Sequence, residues 1–311
     1  MTDLVRKIEA VDIPKLHELI ELVFGDDQWE NIERLGGGIT NHSYKITRKD
    51  GQEYLARIPG DGTEEMINRI NERKSTELGC KLGFDSQLLY FGSDGCKVME
   101  FIHNPQPMNE EVMKRSENLS QAAEIYHKLH TCGIDTGVRF EVFEMAVLYE
   151  KIIMDAGVAF PDDYDGVKQT VMDIKAEVDK AGEVSRVPCH NDSSISNWIM
   201  DENGKLHLID WEYSGMNEPM WDLSCLSIEA DYGAAEDDEL LNTYYSFEEK
   251  SPGVEEKRRF SAAKLYVDYL WTLWGLARVP FGGDFMREYS GVRYARLKKN
   301  IEAYKNLAEE N

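Results

Sequence analysis

The sequence predicts an α+β protein of two lobes. A first lobe over residues 1–102 carries an antiparallel sheet plus a helix, and a second, mainly helical lobe covers 103–311. Three observations predict this. A chain of 311 residues is long for one hydrophobic core and comfortable for two. Short segments of strand character at 31–35, 43–48 and 53–58 fall close together, with another at 98–102. From about residue 109 onward the apolar residues recur with a helical period.

The elements follow in order. Residues 3–24 read as an amphipathic helix with Leu16, Leu19, Ile20 and Val23 on its apolar stripe, stopped by Gly25. The first two strands are joined by Gly36-Gly37-Gly38-Ile39-Thr40-Asn41. Glycines between strands let backbone N–H groups approach phosphate oxygens, because nothing beyond Cα intrudes. The loop lacks the Gly-Lys-Ser/Thr and following helix of a P-loop, and the same topology excludes a dinucleotide fingerprint. Arg57, in Leu55-Ala56-Arg57-Ile58 on the third strand, has a guanidinium able to clamp phosphate oxygens in pairs. A helix over 63–79 uses Ile67, Ile70 and Leu78 as apolar positions and carries Glu72. The strand at 98–102 then runs into His103-Asn104-Pro105.

Further helices are expected at 119–129, 141–156 and 164–180, the last two separated by Pro161-Asp162-Asp163. His127 and His130 share a helix face but have no third ligand nearby, so they read as structural. Trp221 opens another helix, which 227–232 continues, placing Glu229 and Tyr232 on one face. The segment 258–277 is a strongly aromatic helix in which Trp271 and Trp274 are neighbours on one face. Two indoles with a carboxylate suit a quaternary ammonium ion, although paired aromatics at this spacing also serve cores. A polar-faced helix closes the chain over 294–307.

Chemistry concentrates in residues 188–223. Two short apolar segments flank Asp201-Glu202-Asn203-Gly204, a hairpin signal. With a two-residue Asn-Gly turn, Glu202 pairs with Lys205 and Asn197 stands opposite Asp210. An amide oxygen and a carboxylate then lie side by side, two hard ligands suited to Mg²⁺. Upstream stand Asp192 and His190. His-x-Asp, four spacers, Asn, then Asp after a hairpin is the layout of protein-kinase-like phosphoryl transfer. Asp192 is then the base for a substrate hydroxyl, with Asn197 and Asp210 as metal ligands.

Composition narrows the partners. A net charge of −23 argues against nucleic acid and anionic membrane surfaces. No apolar run is long enough to span a bilayer, and the N-terminus has no signal-peptide pattern. The five cysteines form no metal-spaced pair and read as reduced thiols of a cytoplasmic protein. Nothing in the sequence specifies an oligomeric state.

Cys189-His-Asn-Asp-Ser-Ser-Ile-Ser-Asn-Trp198, followed by Leu208-Ile-Asp-Trp-Glu-Tyr213 and Trp221-Asp-Leu223, resembles the choline/ethanolamine kinases. The likeness is strongest to the bacterial LicA-type choline kinases, within the aminoglycoside-phosphotransferase-like group of the protein-kinase-like fold. It extends over roughly residues 30–300. It implies ATP and Mg²⁺ as cofactors and a small amino alcohol as substrate, with O-phosphorylation of choline the first expectation. Gly36, Gly37, Gly38, Thr40 and Asn41 become the nucleotide loop, Arg57 the phosphate clamp and Glu72 its partner. Backbone groups near Glu100 and Ile102 become the adenine hinge. Asp222 becomes the brace of the catalytic loop. Trp211, Glu229, Tyr232, Trp271, Trp274 and Tyr289 become the acceptor-binding set. Ethanolamine, thiamine or an aminoglycoside are alternative acceptors, and a catalytically silent nucleotide- or choline-binding regulator is the non-enzymatic alternative.

Overall fold

The computed structural model describes residues 11–25, 29–36, 40–64, 66–106 and 108–309. Gly37, Gly38 and residues 3–10 of the expected first helix lie outside the described residues. In chain order the elements are α1 (Ile13–Phe24), β1 (Trp29–Arg34), β2 (Asn41–Arg48), β3 (Glu53–Pro59), α2 (Arg69–Lys81), β4 (Leu88–Phe91), β5 (Lys97–Glu100), α3 (Glu110–Met113), α4 (Ser116–His130), α5 (Val142–Asp155), α6 (Tyr164–Val178), β6 (Val187–Cys189), β7 (Trp198–Met200), β8 (Leu206–Leu208), β9 (Gly215–Asn217), α7 (Pro219–Glu229), α8 (Ala234–Ser246), α9 (Val254–Ala277) and α10 (Val279–Glu309). They form two compact units, Met1–Met108 with Ser196–Tyr213, and Asn109–Ile195 with Ser214–Asn311. The sequence placed the boundary after residue 102 and the hairpin in the second lobe; the structure gives the hairpin to the first unit.

In the first unit, five antiparallel strands are ordered β1-β2-β3-β5-β4, so Arg57 lies on the central strand. Leu16, Leu19 and Ile20 of α1 pack on Tyr44, Ile46, Ala56 and Val98 of the sheet, which is the packing role its apolar stripe requires. Helix α2 begins later than the sequence suggests. The Asn68 side chain accepts the N–H groups of Ile70 (3.1 Å) and Asn71 (3.2 Å) and so caps the helix there.

The hairpin of β7 and β8 differs in register from the expected one. Trp198 pairs with Leu208 and Met200 with Leu206. Asp201 N–H bonds to Lys205 O (3.0 Å) and Gly204 N–H to Asp201 O (3.1 Å), leaving a three-residue loop with Gly204 left-handed at φ 78°. The cause is Asp201, whose Oδ1 accepts the N–H groups of both Asn203 (2.8 Å) and Lys205 (3.0 Å). Asn197 therefore lies opposite Ile209, not Asp210.

In the second unit, α5, α6, α7 and α10 all pack against α9, whose residues from Leu265 to Ala277 are almost all buried. Strands β6 and β9 form a two-stranded pair, Val187 with Asn217 and Cys189 with Gly215. Helix α10 starts earlier than expected and kinks at Gly283 (φ 54°, ψ −132°). It approaches α9 closely at Gly275, where a Cβ would lie 2.3 Å from Ser290 Oγ and 2.7 Å from Tyr289 Cδ1. Helix α7 stops at Glu229, and Asp231 turns left-handed at φ 50°, so Tyr232 does not share a helical face with Glu229.

Candidate active site

The first unit holds a cavity of about 310 Å³. Leu35, Leu55, Met99, Phe101, Ile199 and Ile209 supply apolar wall, and Gly36, Asn41, Arg57, Glu100, Ile102, Asn197 and Asp210 also line it. Seven of the residues proposed from sequence for the nucleotide or metal are thus gathered around one space. Glu100 N–H is spent on Gln87 O (2.9 Å) and Phe101 N–H on Glu53 O (3.2 Å).

A buried charge network forms the polar end. Arg57, 3% exposed, pairs with both Glu72 and Asp210, and its Nη1 lies 3.5 Å from Glu212 Oε2. Fully buried Glu72 also receives Arg69 at 2.8 Å, with Lys97 3.7 Å away. Asn41 donates to Glu212 (3.1 Å) and to Asp210 (3.5 Å), and Thr40 Oγ1 donates to Glu212 (3.4 Å), tying the end of the glycine loop to the segment after β8. Burial, reinforced by Asp210, raises the Glu212 carboxyl to about 7 against the lowering effect of Arg57. Burial likewise lifts Asp85 to about 6, Lys97 opposing it.

Carboxylate oxygens of Glu72, Asp210 and Glu212 lie within 4.8 Å of one another, with Arg57 and Arg69 between them. Asp210 and Asn197, which line the same cavity, offer a carboxylate and an amide oxygen, hard donors that suit Mg²⁺. Glu212 and Lys97 were missed in the sequence. Glu212 stands two residues after Asp210, a signal that could have found it; Lys97 is marked only by its cross-strand pairing with Arg57.

Trp211, expected to touch the acceptor, belongs to the core of the first unit. It is 0% exposed, stacks on Phe84 (6.4 Å, 12°), donates its indole N–H to Leu208 O (3.2 Å) and fills the space over Gly79, where a Cβ would come within 2.3 Å. No face of the ring is left for a ligand.

In the second unit the loop bearing Asp192 is braced from below. Asp222, on α7, accepts the N–H groups of His190 (2.8 Å) and Asn191 (2.7 Å) and is bonded by His130 Nε2 (3.1 Å). His130 Nδ1 in turn meets the Tyr244 hydroxyl at 2.9 Å, so this histidine is structural, as its sequence context suggested. Asn191 is left-handed at φ 69°, with its carbonyl held by Trp221 Nε1 (2.9 Å) and its side-chain oxygen by Asn217 (2.9 Å). A fixed, strained loop of this kind pre-sets the direction of the next side chain, Asp192.

The second unit also carries an aromatic ladder. Trp271 meets Trp274 edge-on (5.9 Å, 87°), and Trp274 meets Tyr289 (5.5 Å, 65°). The Arg293 guanidinium sits 4.5 Å from the Tyr289 ring centroid and 2.8 Å from Glu229 Oε1. Burial pushes the Tyr289 phenol up; Arg293 lowers it, while Glu229 and Asp192 raise it further, so all three charges act on this one ring. Tyr232 is not part of the ladder: its hydroxyl donates to Met113 O (2.8 Å) beyond the end of α7. Arg293 was not singled out from the sequence, which offers no local signal for its pairing with a residue on another helix.

Comparison with known proteins agrees with this architecture. The family described as Choline/ethanolamine kinase matches residues 32–281. Protein LicA of Haemophilus influenzae is 25% identical over 277 residues, covering 88% of this chain and 79% of the relative. The crystal structure of choline kinase LicA from Streptococcus pneumoniae superposes with a TM-score of 0.82 at 29% identity, over 95% of this chain and 100% of that one. A structure of LicA in complex with AMP gives a TM-score of 0.78 at 28% identity, over 94% and 98% of the two chains. The α+β, protein-kinase-like fold read from the sequence is the observed one, and no helix among the described residues is long and apolar enough to cross a membrane. The chain belongs to the choline/ethanolamine kinase family, enzymes that transfer a phosphoryl group to an alcohol.

Proposed function

We propose that the protein transfers the γ-phosphoryl group of ATP to the hydroxyl of choline, giving phosphocholine and ADP. The observation that carries the choice of acceptor is the ladder of Trp271, Trp274 and Tyr289, with its neighbouring acid Glu229 already paired to Arg293. Ring faces hold a quaternary ammonium that has no N–H to donate, each contributing about 0.5–2 kcal/mol.

In this reading, Leu35, Leu55, Ile199 and Ile209 sandwich the base, and the Glu100 carbonyl and Ile102 amide take its edge. The loop of Gly36, Gly37, Gly38, Thr40 and Asn41 covers the phosphates, and Arg57, steadied by Glu72, clamps them. Asn197 and Asp210 would hold Mg²⁺, which offsets charge on the phosphates when bound. Asp192 orients the acceptor hydroxyl and takes its proton as the oxygen attacks phosphorus and ADP leaves. The protein contributes positioning and electrostatics, with no covalent intermediate.

Replacing Asp192 tests the reading. Asp192→Asn retains the shape of the loop and removes the proton acceptor. Turnover should fall by at least ~10²-fold, the scale of a general base, while nucleotide affinity stays within threefold. Turnover near the wild-type rate would remove Asp192 from the chemistry.

A further inference from the structure

The acceptor ladder already contains a cation of its own. Arg293 is 8% exposed, lies over the Tyr289 ring at 4.5 Å and pairs with Glu229 at 2.8 Å. The other nearby acid offers Arg293 nothing more. Asp268, fully buried, is held by the Arg296 fork (Nε 3.0 Å, Nη2 2.8 Å) and by Asn300 (2.9 Å), and stands 3.9 Å from Arg293. Arg293 thus answers Glu229, with Arg296 3.8 Å from the same oxygen, and Asp192 is the remaining acid that acts on the Tyr289 ring.

We infer that Arg293 is a specificity-determining residue: by neutralising Glu229 it makes the acceptor site select quaternary over primary ammonium groups. The inference rests on the amino-alcohol reading above. The chemistry is direct. A primary ammonium brings three N–H donors that need acceptors once water is excluded, and an unmet donor weakens binding. To use Glu229 it must draw that carboxylate off Arg293 and leave a guanidinium buried without its counter-charge. A trimethylammonium has no N–H to satisfy and gains from the indole faces without disturbing the pair. Because the pair is neutral as a whole, the resident cation does not repel the incoming one.

Steady-state ADP release is measured with MgATP over choline and ethanolamine for the wild type, Arg293→Gln, Arg293→Lys and Glu229→Gln. Arg293→Gln removes the nearer guanidinium from Glu229 and leaves Arg296 at 3.8 Å. The choline/ethanolamine ratio of kcat/KM should then fall at least tenfold, through a lower KM for ethanolamine relative to that for choline. Arg293→Lys keeps the charge and should hold the ratio within threefold of wild type. An equal loss for both substrates in Arg293→Gln makes the residue a strut and overturns the inference.

Should Arg293→Gln fail to fold, Glu229→Gln decides. A carboxylate already silenced by Arg293 leaves the ratio within threefold, whereas a tenfold rise through selective loss of ethanolamine identifies Glu229 as an ammonium acceptor and overturns the inference. Turnover of both amines with an unmoved ratio in Arg293→Gln sinks this inference alone. Absence of turnover with either amine in the wild type sinks the amino-alcohol reading and the inference with it.

Discussion

Ile209 donates its amide N–H to the carbonyl of Asn197 at 2.9 Å, which fixes Asp210 one residue past the ladder partner of Asn197. Both side chains nevertheless line the same cavity. Asp210 reaches it from a left-handed backbone, φ 65°, instead of from a paired strand position. The hairpin that sets this geometry depends on Gly204, also left-handed. Gly204→Val should therefore lose about 1–2 kcal/mol, the cost of a side chain in that region. Asn203→Ala should cost less than about 0.5 kcal/mol, because Asn203 is not at the left-handed position. Urea midpoints of the two variants measure this; comparable losses would favour the two-residue turn.

Arg57 offsets several buried acids at once. Arg57→Ala removes the guanidinium shared by Glu72, Asp210 and Glu212 and leaves Glu72 to Arg69 and Lys97, and breaking buried pairs of this kind costs up to about 3–5 kcal/mol. Arg57→Lys keeps the charge, loses the fork and should cost less. Chemical denaturation without nucleotide reads the order; equal stability of Arg57→Ala and wild type would mean the network contributes nothing.

Asp85 makes stability depend on pH. Burial raises its carboxyl from 3.8 to about 6 in the folded chain. A group raised on folding binds its proton more tightly in the native state. Its stabilising contribution is complete below about pH 4 and is lost as pH rises through about 6. Asp85→Asn does not titrate there, so between pH 4 and pH 7 the variant should gain on the wild type by on the order of 2–3 kcal/mol. A stability difference that is flat across this window would show that Asp85 titrates normally.

Gly275 lets α10 close on α9 beside Tyr289. In Gly275→Ala the added carbon meets Ser290 and Tyr289, and overpacking of this sort costs about 1–3 kcal/mol. The ring should shift with its helix, raising KM for choline several-fold and leaving KM for ATP unchanged. Equal effects on both constants would point to general loosening.

Much of this was legible because the signals are local. The strands and the Trp271–Trp274 face follow from period and spacing, while the Arg57–Glu72 partnership follows from the family resemblance. The errors come from competitions that spacing does not record. Asp201 used its side chain to build a different turn from the one Asn203-Gly204 advertises. Trp211 after a strand reads alike whether it faces a ligand or, as here, Phe84 and Gly79. Tyr232 left the helix because Asp231 adopts a left-handed conformation. Arg293 was invisible because its partner, Glu229, is on another helix and only the packing of α7, α9 and α10 brings the two together.

Phosphorylation of choline is the activity proposed for this chain. The most direct test is ADP release by the wild-type protein with MgATP and, separately, choline, ethanolamine, thiamine and kanamycin. Choline should turn over at the highest kcat/KM of the four, and that turnover should depend on added Mg²⁺. Turnover of another alcohol with none for choline would contradict the acceptor assignment, and silence across the panel with ATP still bound would contradict the assignment of activity itself.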